Sequence, residues 1–79
     1  MPEVFRFWGF SFFFYSREHE PIHIHIEGKD GYAVYDLDSD VFTLRDIHGI
    51  KIQDRKKIES VLSENKEIIV KRWKEHFER

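Results

Sequence analysis

Seventy-nine residues make a single domain, 1–79, and a chain this short buries a modest fraction of its surface. It has no cysteine, which removes disulfides and thiolate metal ligands and fits a reducing cytoplasm. The net charge of −2 excludes a polycation. There is no basic start followed by an apolar run and a cleavage site, and the apolar stretch at Phe10 to Tyr15 is too short for a bilayer. The expectation is a soluble cytoplasmic protein with no membrane role. Small domains without disulfides commonly lean on a metal or a partner subunit, so a histidine-bound metal and a homodimer both come into view.

Charge is uneven along the chain. Residues 1–50 carry 4 Lys or Arg against 9 Asp or Glu, a net of −5, and residues 51–79 carry 9 against 6, a net of +3. Such asymmetry can mark nucleic-acid contact. Here Glu59, Glu64, Glu67 and Glu75 break up the basic field, which favours a solvated helix face.

In chain order, Val4 to Trp8 is β-branched or aromatic at most positions and predicts a strand. Gly9 permits a turn. Ser11 to Ser16 resumes the strand, with Phe10, Phe12 and Phe14 on one face and Phe13 and Tyr15 on the other. Both faces are apolar, so the strand should be covered on both sides: by helices on one, and by a second subunit or a pocket wall on the other. Arg17 to Pro21 connects to a strand over Ile22 to Glu27. Gly28-Lys29-Asp30-Gly31 predicts a hairpin turn with positive φ at its glycines. Tyr32 to Asp38 pairs back antiparallel, with Ala33, Tyr35 and Leu37 alternating with Tyr32, Val34 and Asp36. The core side should match the isoleucine side of its neighbour, and sequence alone does not fix which set that is. Asp38-Ser39-Asp40 is a turn, Val41 to Arg45 a short strand, and Asp46-Ile47-His48-Gly49 a loop. A helix starts near Gln53 or Asp54, with Ile58, Val61 and Leu62 as its apolar stripe. It breaks at Ser63 to Asn65. A second helix runs from about Lys66 to Phe77, with Ile69, Trp73 and Phe77 at helical spacing. Trp73 belongs to the core. Trp8, beside the turn, is a candidate partner-surface residue. The fold class is α+β: a small antiparallel sheet in the N-terminal half packed by two C-terminal helices.

The informative segment is His19-Glu20-Pro21-Ile22-His23-Ile24-His25, three of the five histidines in seven residues. Alternation on a strand sends Ile22, Ile24 and Ile26 to the core, and His23, His25 and Glu27 to the opposite face. Pro21 holds Glu20 extended, and His19 can fold back over the histidine face. Three uses of this cluster stay open. His19, His23, His25 and Glu27 can bind a divalent metal such as zinc, nickel or iron. The histidines can instead act as acid and base on an RNA phosphodiester, with Arg17 or Lys29 on the phosphate and Tyr15 orienting a group. Or they are polar residues of a protein interface, where the acidic half would neutralise a basic partner. His76 sits on the last helix turn, where charge suits the dipole. His48 is a further ligand only if its loop returns to the site.

The opening Pro2-Glu3-Val4-Phe5-Arg6-Phe7-Trp8-Gly9, then Glu18-His19-Glu20-Pro21-Ile22-His23-Ile24-His25, then Lys71-Arg72-Trp73 in the last helix, resembles a family of small bacterial proteins, the domain of unknown function numbered 4160. Ile22 stands where that family has a second proline. The resemblance spans nearly the whole chain. It implies a bacterial protein encoded beside another small domain, one member of a regulatory or toxin–antitoxin-type pair. It implies no reaction. Any activity is expected at His19, His23 and His25, with Arg6, Tyr15, Arg17 and Glu27 near them.

Overall fold

The computed structural model describes residues 3–14 and 22–77, the last two by their backbone alone. Tyr15, Arg17 and His19 therefore lie outside the described residues. Five strands are followed by two helices: β1 (Glu3–Phe7), β2 (Phe10–Phe13), β3 (His23–Glu27), β4 (Tyr32–Asp38), β5 (Val41–His48), α1 (Ile52–Glu64) and α2 (Lys66–Phe77). The strands form one antiparallel sheet whose spatial order is the chain order. This is the α+β architecture the sequence predicts.

Two turns are of the kind that matches the twist of a hairpin. Trp8 and Gly9 have φ of 48° and 79°, and Ser39 and Asp40 have φ of 49° and 72°. Positive φ at both central residues defines the type I′ turn. The β3–β4 turn departs from expectation. Gly28 and Gly31 are absent from the positive-φ residues. Their missing Cβ atoms serve close approach instead. A side chain on Gly28 would strike the Phe10 ring, and one on Gly31 would strike the His48 carbonyl oxygen.

β5 continues through the segment expected to be a loop. Tyr35 pairs with Leu44 and Val34 with Asp46, so Arg45 is an extra residue at a bulge. The bulge resets the alternation, and Ile47 packs against the core. Pairing with β4 outweighs the weak strand character of Asp46 and His48. Helix α1 begins at Ile52, slightly earlier than expected, with Asp54 in its first turn.

The core lies between one sheet face and the helices. Phe12, Ile24, Ile26 and Tyr35 from the sheet meet Ile58, Leu62, Ile69 and Trp73 from the helices. Burying side chains of this size contributes about 1.5–3 kcal/mol each. Tyr35 donates to Glu59 at 2.8 Å, and Glu59 also accepts from Arg55 at 2.7 Å. Burial, and then this bond, push the Tyr35 phenol up. The Arg55 hydrogen bond holds the Glu59 carboxyl below its usual range. The break between helices falls where expected: Asn65 closes α1 through its backbone N–H and its side-chain amide, both donating to the Val61 carbonyl at 3.0 and 2.8 Å.

Candidate functional site

The helices cover one face of the sheet, and the other carries the histidines. Ile24 and Ile26 are fully buried in the core, and this fixes the register of β3. His23, His25 and Glu27 must then face the opposite way. Cross-strand pairing sets their neighbours. His23 lies opposite Asp36, His25 opposite Val34 and Phe13, and Glu27 opposite Tyr32 and Ser11.

This face has a closed part and an open part. His23 is 8% exposed, with its ring 5.6 Å from the His25 ring and 5.5 Å from Trp73, which reaches it from α2. Phe13 is also buried and stacks on His25 at 5.6 Å with 22° between planes. Beside them opens a concavity of about 300 Å³. Phe13 and Val34 supply its apolar lining, and His25, Glu27 and Tyr32 its polar lining. Thus the structure brings His23 and His25 together but gives only His25 a place on this concavity.

Of the expected metal ligands, His23 and His25 are neighbours. Glu27 stands farther along the strand, about 13 Å from His23 at about 3.3 Å per residue, and strand side chains rise roughly parallel from the sheet. Among the described residues, no three His, Cys, Asp or Glu side chains group so as to hold a metal ion. His19, the remaining expected ligand, is outside the described residues. Any metal centre would therefore combine the His23–His25 pair with donors from elsewhere.

Arg6 is on the histidine face but not on the strand next to β3. It pairs with Ser11, which pairs with Glu27, so it stands two strands away. There it bonds the Glu3 carboxylate at 3.0 Å, and the Ser11 hydroxyl donates to the same oxygen at 2.6 Å. The Ser11 bond, then that from Arg6, lowers the Glu3 carboxyl. A bulge between Glu3 and Phe5 makes the Arg6 pairing possible by bringing Glu3 and Arg6 to one face.

Sequence reasoning missed the far side of the site. Tyr32 donates to Asp46 at 3.1 Å and stacks with His48 at 5.9 Å and 26°. The Asp46 hydrogen bond raises the Tyr32 phenol. Arg45 grips Asp36 through both guanidinium edge nitrogens, one bond being 2.9 Å long. Once β5 is taken to end at Arg45, Asp46 and His48 have no register. The available signal was the Tyr32–Val34–Asp36 alternation opposite the core side of β4.

The electrostatics follow from these pairs. Among the described residues of this face, Arg6 and Arg45 are each tied to a carboxylate. Among the described residues no cation pairs with Glu27 or Asp46. The concavity therefore has apolar and aromatic walls with acid at its rim.

Other hollows lie away from the histidines. One of about 660 Å³ runs along α2 past Lys66, Lys71 and Lys74, with Glu67 and Glu75 between them. This matches the interspersed charge read from the sequence. Trp8 is 61% exposed at its turn, with the Lys57 ammonium 5.7 Å from its ring. Among the described residues no helix is long and apolar enough to cross a membrane.

No curated protein and no solved structure matches the chain. A family model does, over residues 9–74. That span takes in the histidine run, the whole β3–β5 meander, both helix starts and Trp73, while Pro2 to Trp8 precede it. With most of its length so matched, the chain belongs to the family described as Domain of unknown function (DUF4160).

Proposed function

We propose that this chain is the binding member of a small bacterial two-protein module, of regulatory or toxin–antitoxin type. It works in the cytoplasm and docks its partner on the histidine face of the sheet. One observation carries this reading: the histidine face has an apolar floor of Phe13 and Val34 bordered by exposed Glu27, Tyr32 and Asp46. An apolar centre with a polar, wet rim is the anatomy of a protein interface. The test is calorimetric titration of the purified chain with the protein encoded beside its gene. A complex should form, and Tyr32→Ala should weaken it about tenfold or more, as loss of an aromatic anchor does. Lys71→Ala, in the hollow along α2, should not change it. A complex indifferent to Tyr32→Ala would move the interface elsewhere, with exposed Trp8 the next place to look.

A second reading rests on a different observation. His25 lines the concavity next to Glu27, with His23 behind it. That is an arrangement for acid–base work on an RNA phosphodiester, with Arg6, Arg17 and Tyr15 as helpers. Prior pairing of Arg6 and Arg45 weighs against a phosphate ligand here. RNA cleavage abolished by His25→Ala would establish it. Zinc, nickel or ferrous iron retained by wild type and lost in His23→Ala/His25→Ala would add a metal to the same site. Self-association is a separate proposal. β2 is paired along both edges, so a homodimer through the phenylalanine-rich strand would have to use its Phe13 face.

A further inference from the structure

The concavity beside His25 has chemistry that selects one kind of side chain. Its volume of about 300 Å³ sits at the lower limit of small-molecule pockets. It is suited to a single long side chain. Phe13 and Val34 line it with apolar surface. Three rings contribute to its walls: Phe13 stacked on His25, and Tyr32. Glu27 is exposed at its border and has no cation among the described residues. Asp46, the cross-strand partner of Val34, lies outside this lining and accepts the hydrogen bond of the Tyr32 hydroxyl.

We infer that this concavity receives an arginine side chain from the partner protein. The inference rests on the docking reading above and names the chemistry of what docks. An arginine is apolar along its stem and planar and cationic at its head. The stem suits Phe13 and Val34. The guanidinium plane stacks on rings, and its fork of donors meets a carboxylate in two bonds. Lysine offers a compact ammonium that neither stacks as a plane nor forms the fork. A neutral or anionic side chain leaves Glu27 uncompensated.

A second copy of this chain could offer Arg72 or Lys71 from its basic helix. On that helix Glu67 and Glu75 stand among the lysines, and the chain carries a net charge of −2, so a second copy would bring acid as well as base to Glu27. A different protein is the better charge complement, and concentration-dependent growth in light scattering would identify a second copy instead.

The test uses the whole chain, ¹⁵N-labelled, titrated with N-acetyl-arginine methylamide and, separately, with its lysine and citrulline counterparts. Citrulline keeps the shape of arginine and removes its charge. The arginine probe should shift the amide signals of Phe13, His25, Glu27 and Tyr32, and citrulline should leave them in place. Glu27→Gln, at an exposed position, should keep the spectrum dispersed and weaken the probe about tenfold, the loss of a charge-assisted hydrogen bond. Equal response to citrulline, or shifts confined to the α2 groove, would overturn the inference. The same Glu27→Gln chain is then titrated with the neighbour-encoded protein. A complex that forms with full affinity in that variant sinks the arginine pocket and leaves docking intact. Arginine binding with no complex sinks the proposed partner and leaves the pocket.

Discussion

The two faces of the sheet are built from the same strands and stabilised differently. On the helix face, Phe12, Ile24, Ile26 and Tyr35 are almost fully buried against α1 and α2, and the Tyr35–Glu59 hydrogen bond is part-buried. On the histidine face, buried Phe13 and Val34 sit among ion pairs and stacked imidazoles. Alternation gives each strand two chemistries: the core side is apolar throughout, and the other side mixes buried Phe13, His23 and Val34 with exposed polar groups. The other side is free to be specified by recognition.

Removing Trp73 should blur the distinction most, because Trp73 touches both sides. It is packed on Phe14 at 5.3 Å and on His23 at 5.5 Å. Trp73→Ala should cost about 3–5 kcal/mol, which a small domain barely survives. Urea unfolding measures it. A loss near zero would mean that α2 does not hold the core together.

A smaller effect is expected at the part-buried hydrogen bond of the helix face. Tyr35→Phe should cost about 1 kcal/mol, the worth of one hydrogen bond. The same network gives a pH signature. The Arg55 hydrogen bond lowers the Glu59 carboxyl in the folded state below its ordinary value in the unfolded chain. The unfolded chain then takes up the proton first. The contribution is complete above that value and is lost as pH falls through the folded pKa. Glu59→Gln should therefore flatten the acid limb of the stability curve and lessen the alkaline loss without abolishing it, because burial is the larger cause of the Tyr35 shift. The raised Tyr35 phenol works in the other direction: its contribution is complete below 10 and lost as pH rises beyond it. Thermal melts across pH read both.

The smallest effect belongs to the histidine face. Arg45→Ala removes an ion pair in which both side chains reach solvent and should cost under about 1 kcal/mol. If this face serves a partner, the same substitution should change binding more than folding. An equal loss in both would make Arg45 a structural brace.

The sequence made the helix face legible because hydrophobic period and burial are one signal there. Ile58, Val61 and Leu62 predict the stripe of α1, the Ile24–Ile26 alternation predicts the inward side of β3, and all are buried. The histidine face was legible only within one strand. His23 and His25 can be placed opposite the isoleucines by counting. Tyr32, Asp46 and His48 join them only through pairing across β4 and β5, and the Arg45 bulge shifts that count by a residue. Gly28 and Gly31 show a similar limit. Sequence marks them as turn glycines, but their reason is the Phe10 ring and the His48 carbonyl, contacts of the folded sheet.

The meander has a temporal consequence. Each strand pairs with its neighbour in the chain, so the sheet can assemble from successive hairpins with little loop closure, a topology that favours rapid folding. The side chains that cover Phe12, Ile24 and Tyr35 arrive last, on α1 and α2. During synthesis the nascent sheet therefore displays its apolar face until Ile69 and Trp73 have left the ribosome. That interval is when chaperones, or a partner already present, would meet the chain first.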